Sequence, residues 1–462
     1  MTVRTGACGR LLASFAIATL LLSGLQAAPP AAKPSGKPTR DAAKRPEPKP
    51  LAETSQKGLQ YLVNQQQPDG GWGQGGGWRQ DAKSGRVEGV KIKDPSDMGN
   101  TCIATLALIR AGSTAKSGPY AANVRQAIEF IVKRIETADQ QSLYVSDVRD
   151  TQLQRKIGPY IDTFLAALVL SEHKGRTPYD QQDKRLLAAL DKTIAKIEHH
   201  QKEDGTFAGN AGWATILSQG VCSKALNCAR QQGVAVKDET LNRDLAQAVA
   251  GLDRTTGEFA GEFAGAGAGG ATAAFGRSSR TAGAVLGSRL AGESGVSDAG
   301  VEIYKQSAKT SALQQRVISD REAEKRARDT LARKDVSAAE KTKAQADLKL
   351  VEENAAANDS AVQGLVKKLD DKQFIAGFGS NGGEEFLSYM NIGETLVVKG
   401  GTEWEAWNKS ISDNLHRVQN QDGSWSGDHC ITGRTFCTAT ALLTLMSDRA
   451  PIPADPQPAE KK

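Results

Sequence analysis

Residues 63–72 read VNQQQPDGGW, and residues 418–425, far downstream, read VQNQDGSW. A third copy stands between them. The set is Gln66-Gln67-Pro68-Asp69-Gly70-Gly71-Trp72, Gln201-Lys202-Glu203-Asp204-Gly205-Thr206-Phe207 and Gln419-Asn420-Gln421-Asp422-Gly423-Ser424-Trp425. Each copy follows a stretch with helical patterning (SQKGLQYLVNQQ, LDKTIAKIEHHQ, SISDNLHRVQN) and leads, after a loop, into a segment rich in small residues. Local chemistry accounts for the phrase. Asp-Gly allows a tight reversal with glycine at positive φ. The Gln amide can satisfy backbone groups left over at helix ends, and the aromatic ring buries area between neighbouring units.

The segments that follow resemble one another. NTCIATLAL begins at Asn100, DTFLAALVL at Asp162 and RTFCTATAL at Arg434, with weaker relatives at Arg280 and Glu394. A polar residue and a Thr precede Ala-rich helix in the first three. The Thr can cap that helix or bond within its first turn, and small residues let helices approach closely. The repeating unit is therefore an outer helix, an Asp-Gly corner with an aromatic, and an inner helix. Six units can be traced, starting near 55, 122, 187, 240, 365 and 405; the second, fourth and fifth have degenerate corners (ETADQQSLY, LDRTTGEFA, FGSNGGEEF).

This pattern resembles the prenyltransferase/squalene-cyclase repeat, in particular exported bacterial proteins of that class with no assigned activity. The resemblance implies an all-α fold, an α/α toroid of about six helix pairs around a central cavity. The motifs cover about 55–235 and 370–449, and the toroid they imply occupies 51–304 and 370–449. The family's chemistry is not intact here. Squalene-type cyclases carry Asp-x-Asp-Asp-Thr, whose middle Asp protonates an alkene; the nearest match, Asp97-Met98-Gly99-Asn100-Thr101, has Gly99 at the acid position. Prenyltransferases hold zinc with an Asp-x-Cys pair and a distant His. Asp428 and Cys430 offer the pair, His429 lies between them, and no His follows. Thioester domains share the toroid, but GGEEF (382–386) lacks their reactive Cys. No metal and no cofactor are expected.

Outside the repeat, residues 1–28 read as a secretory signal peptide: Arg4 and Arg10, the apolar run LLASFAIATLLLSGL and a small-residue site near Ala27 or Ala28. Residues 29–50 form a Pro/Lys-rich linker with nothing to bury. The formal charge of +6 resides in these two segments, leader +2 and linker +4, which leaves 51–462 neutral. A nucleic-acid-binding surface is not expected, nor a transmembrane segment once the leader is removed. Export also frames the cysteines. Cys102, Cys222, Cys228, Cys430 and Cys437 remain after the leader, an odd set; Cys430 and Cys437 are the favoured disulfide.

A Gly/Ala-rich loop is expected at about 257–280. Residues 305–369, rich in Lys, Glu, Ala, Arg and Leu, read as an inserted helical hairpin with a break near 334–336, because Ser337-Ala338-Ala339-Glu340 is a capping box. The hairpin is either a solvated spacer or an arm for a protein partner. Residues 450–462 read as a disordered tail.

Two functions remain open from sequence. One is an exported, non-catalytic binding or scaffolding module with an unknown ligand in its cavity. The other is an enzyme of the same fold, acting on an extracellular polysaccharide or an isoprenoid-like substrate through acids at the cavity mouth; the candidates are Asp97, Asp162, Glu384, Glu385 and Glu394. Trp404 and Trp407 are expected in packing, and His199 and His200 at a solvated helix end.

Overall fold

The computed structural model describes residues 47–78, 86–87, 94–260, 290–371, 382–428 and 430–451, without the side chains of 77–78, 86–87 and 290–301. The leader, the linker up to residue 46, the glycine-rich stretch from 261, the fifth corner before Gly382, His429 and the tail from 452 fall outside it. All described residues belong to one unit, Ala43–Lys462.

The fold is all-α. The helices are α1 (Glu53–Gln65), α2 (Met98–Arg110), α3 (Ala121–Thr137), α4 (Gln152–Ile157), α5 (Ile161–His173), α6 (Asp180–His200) and α7 (Thr215–Gln231). They continue with α8 (Asp238–Val249), α9 (Leu290–Ala332), α10 (Ala338–Leu369), α11 (Gly383–Lys399), α12 (Thr402–Arg417) and α13 (Arg434–Leu445). A two-residue antiparallel strand pair, Gly77–Trp78 with Arg86–Val87, is the one ladder among the described residues.

Burial sorts the helices into two kinds. α3 buries a single face, Val124, Ala127, Ile128, Ile131 and Ile135, at the spacing of an amphipathic helix. Every residue of α2 and α5 is buried, as befits helices that are apolar all round. The enclosed helices contact one another in order: α2 with α5, α5 with α7, α7 with α9, α9 with α11, α11 with α13, and α13 with α2 again. Single-faced helices pack on them from outside, α3 and α6 also touching each other.

The three good corners share one set of bonds. In each, the Asp side chain accepts from the backbone two residues on: Gly71 N to Asp69, Thr206 N to Asp204 and Ser424 N to Asp422, at 2.9–3.0 Å. The glycines Gly70, Gly205 and Gly423 have φ of 89°, 78° and 86°. Each is pressed against the next single-faced helix. A β-carbon on Gly70 would lie 2.5 Å from Gln126 O of α3; on Gly423 it would lie 2.6 Å from Lys57 O of α1, and on Gly205 it would overlap Arg243 O of α8. Gln66 Nε2 donates to Gly70 O and to Asn123 O of α3, while Gln419 Nε2 donates to Gly423 O and to Thr54 O of α1. The last corner thus docks on the first helix as the first corner docks on α3. Gln201 departs from this pattern, its amide making no hydrogen bond.

The aromatics are fully enclosed. Trp72 Nε1 donates to Leu62 O and Trp425 Nε1 to Leu415 O. Their backbone N–H groups donate to Thr101 Oγ1 and Thr438 Oγ1, both at 2.9 Å. These bonds correct the sequence register. The residue equivalent to Thr101 in the last unit is Thr438, three positions beyond the Thr435 that the string RTFCTATAL suggests.

The helical hairpin also differs from expectation. α9 begins at Leu290, and its segment from Ile303 to Asp320 is packed between α7 and α11. Ala308 meets Gly220 of α7, and Tyr304 donates to Glu385 of α11. The end of α10 takes the place of a fifth outer helix, since Gly257 of the fourth corner lies against Ser360 and Gly364. Only the outer parts of α9 and α10 form an arm. The break falls at 333–337, where Ser337 N donates to Glu340 Oε2 at 2.9 Å and Ser337 Oγ accepts from Glu340 N at 3.2 Å.

Near the C-termini of α2 and α5, charges link α2 both to its neighbour α5 and to α11, and link α7 to α11. Arg110 of α2 pairs with Glu172 of α5 at 2.5 Å and with Glu394 of α11 at 2.9 Å; Lys224 of α7 reaches Glu394 at 2.5 Å and Asn391 at 3.3 Å. Burial opposes the charge on Arg110, and Glu172 and Glu394 overcome it and raise its pKa. Burial likewise opposes ionisation of Glu394, and Lys224 and Arg110 hold it low. A narrow space of about 10 Å³ lies beside the cross, lined also by Leu168, Cys228 and Gln231.

Removing one member of this cross strands buried charges, so Arg110→Ala should cost about 3–5 kcal/mol in urea unfolding. Arg185→Ala, which breaks half-exposed pairs with Glu129 and Glu136, should cost under about 1 kcal/mol. Equal effects would show that the cross does not hold the centre. At the corners, Gly423→Ala should destabilise by clearly more than Gly175→Ala. Gly175 also has positive φ, 72°, but nothing lies within 4 Å of its added β-carbon; its cost should stay at about 1–2 kcal/mol.

Candidate functional site

Four of the five candidate acids lie at the end where α2, α5 and α11 begin, and all four are almost fully buried. Asp97 is the N-cap of α2, accepting from Asn100 N and Asn100 Nδ2, both at 2.8 Å. Asp162 stands in the first turn of α5. Its Oδ2 accepts from Gln154 Nε2 at 2.9 Å and Ser146 Oγ at 3.4 Å, and its Oδ1 has no hydrogen-bond partner. The two belong together: a β-carbon on Gly99 would fall 2.8 Å from Asp162 Oδ1 and 3.7 Å from Asp97 Oδ1.

Glu384 and Glu385 open α11. Glu385 Oε2 accepts from Gly382 N at 2.7 Å, a capping bond, and its Oε1 accepts from the Tyr304 hydroxyl. Glu384 Oε2 accepts from Ile431 N at 3.2 Å, while Oε1 is unpartnered. Glu394, the fifth candidate, is nearly three turns beyond Glu384 along α11, in the ionic cross. The acids therefore form two pairs and an ion-paired group, not one constellation.

Burial sets the protonation of these groups. Burial first, and Asp97 second, push Asp162 up to about 7, against the hydrogen bonds from Gln154 and Ser146. Glu384 is raised by burial and then by Glu385. A neutral Asp162 carries a proton that could in principle serve acid catalysis. It is sealed in, however: Leu153 of α4, itself 1% exposed, stands where it would touch a β-carbon on Gly99. Gly99 also has no room for the acid that cyclases carry at that position.

Of the two thiols nearby, Cys437 is buried and Cys430 is partly exposed. Cys430 and Cys437 are free rather than bridged, and Cys437 Sγ is directed at Ile431 O, 3.4 Å away. Burial raises the Cys430 thiol, and Glu384 raises it further. Among the described residues no group of three His, Cys, Asp or Glu could hold a metal ion. Trp404 and Trp407 are packed inside, with Trp407 against Tyr389 at 6.2 Å between centroids. His199 and His200 end α6, where His200 Nε2 bonds Gln141 O.

Sequence reading missed Arg110, Glu172, Lys224 and Gln152. The first three carry a signal in retrospect, since each interrupts or ends an inner segment otherwise suited to full burial (CIATLALIR, FLAALVLSE, GVCSKALNC). Gln152, in a loop of mixed composition, carries none.

Between about pH 4 and 7 the native state keeps a proton on Asp162 that the unfolded chain has released. This contribution to stability therefore falls as pH rises through that window and levels off above it. Asp162→Asn should flatten the slope and stabilise the protein at pH 8 relative to wild type. Urea unfolding at pH 5 and pH 8 reads the difference; an unchanged slope would show that Asp162 ionises normally.

No protein-family model, no curated protein and no solved structure matches the chain.

Proposed function

We propose that this chain is an exported, non-catalytic α/α toroid of six helix pairs that works as a scaffold and presents the outer parts of α9 and α10 as an arm. The circular order of helix contacts, and the docking of the last Gln-Asp-Gly-Trp corner on α1, support a toroid. The resemblance to prenyltransferase/squalene-cyclase repeats rests on the same corners. Export rests on the leader pattern in residues 1–28. Among the described residues, no helix is long and apolar enough to cross a membrane.

The single observation that carries the scaffold reading is the ionic cross. Enzymes of this architecture need a hollow centre, yet here Arg110 and Lys224 reach across the middle to Glu394. The acids at the other end are spent on capping, on Gln154 and on Ile431 N. A polysaccharide enzyme needs two carboxylates converging on one open space, and these acids are buried in separate pairs.

Native mass spectrometry of the exported protein, isolated without detergent, tests the reading. The expected mass is that of the processed polypeptide alone. A retained isoprenoid or oligosaccharide, lost on Arg110→Ala or Asp162→Asn substitution, would overturn it.

A further inference from the structure

α4 is six residues long, too short to be stable as an isolated helix. It owes its place to what it covers. Leu153 rests on Gly99, Gln154 bonds Asp162, and Lys156 O accepts from Ala214 N at 2.8 Å. Beside it runs Cys430–Gly433, whose Ile431 bonds Glu384 through its N–H and Gly383 N through its carbonyl.

One side chain joins the two pieces. Gln152 Nε2 donates to Cys430 O at 2.7 Å and Thr432 Oγ1 at 3.1 Å, and Gln152 Oε1 accepts from Thr432 N at 3.0 Å and Gly433 N at 3.2 Å. Both ends of the amide are thus committed to a segment far away in the sequence. Beneath lie three buried polar atoms with no hydrogen-bond partner: Asn100 Oδ1, Asp162 Oδ1 and Glu384 Oε1. Cys430 sits at φ 52°, a left-handed conformation that costs a residue with a β-carbon about 1–2 kcal/mol. Strain on one piece, unpartnered polar atoms below and one side chain that joins the two pieces together describe a closure that can be undone.

We propose that α4 and Cys430–Gly433 form a two-piece cover over the acidic end, fastened by Gln152, which opens as a unit while the inner helices stay folded. The groups that face the acids beneath it are Asp97 from α2, Arg149 from the preceding loop, Tyr304 from α9, Lys156 from α4 and Cys437 from α13. Opening would bring a polar ligand, or water, to these three atoms. The cover is independent of the scaffold reading, because it describes access and not turnover.

Cys430 is a built-in reporter. N-ethylmaleimide labelling at neutral pH, resolved by peptide mass spectrometry, should be faster at Cys430 in Gln152→Ala than in wild type by about tenfold. Cys102 and Cys222, inside α2 and α7, should stay unmodified over the same time. An unchanged Cys430 rate would overturn the proposal, and so would labelling of Cys102 and Cys222 in step with Cys430, since that reports general loosening. Hydrogen exchange on the wild-type protein gives a second reading that needs no variant. Residues 152–157 and 430–433 should exchange together and ahead of α2 and α5; exchange of the cover only with the inner helices would equally sink the idea.

Discussion

A glycine pressed onto a neighbouring backbone carbonyl is the contact on which the architecture turns. Gly70, Gly205 and Gly423 approach Gln126, Arg243 and Lys57 so closely that no side chain fits. Their positive φ gives the reversal that sends the chain inward. The aspartate holds the reversal shut; in the two Trp corners the indole N–H anchors it to the helix just finished and a threonine hydroxyl ties it to an inner helix. One short phrase thus fixes the position of three helices, which explains why it recurs with so little change.

The interior built this way is unusually polar. A cross of two cations and two carboxylates fills one end, and two pairs of acids occupy the other. Isolated charges in such places would be prohibitively costly. The molecule uses two different remedies. At the first end opposite charges meet at hydrogen-bond distance, which holds Arg110 and Glu394 in their charged forms. At the second, where the cations are few, burial drives Asp162 and Glu384 toward their neutral forms. Pairs of the first kind often add little net stability over an apolar core, although breaking them is expensive; their value here is in tying α2 and α7 to α11.

How much of this could be read from the chain alone follows from the range of each interaction. Asp69, Gly70 and Trp72 act within a few residues of one another, so the corner was legible, and with it the all-α class. The register of Thr438 was not, because Thr435 and Thr438 both suit the pattern and only the bond to Trp425 separates them. The inner part of α9 was misassigned for a different reason. Its buried face holds Gln306, Ser307, Thr310 and Ser311, residues whose composition suggests solvent. Three of them find a local or cross-helix partner: Ser307 with Tyr304 O, Thr310 with Gln306, and Gln306 Nε2 with Gly257 O and Ala361 O. Arg110, Glu172, Lys224 and Glu394 lie on four helices widely spaced in sequence, so no local pattern could announce their meeting.

The continuity of α9 has a mechanical consequence. It runs unbroken for 43 residues, about 65 Å at 1.5 Å per residue, from the packed interior out to the tip near Ala332. Where it leaves the body, Arg316, Asp320 and Asn354 form a buried brace at 2.8 Å contacts, so the shaft and its partner α10 emerge already bolted together. No glycine or proline interrupts α9 beyond Gly300. A pull on the tip would therefore not be absorbed by a swivel at the base; it would arrive as a twist on the wall shared with α7 and α11, the same wall that holds Tyr304 against Glu385.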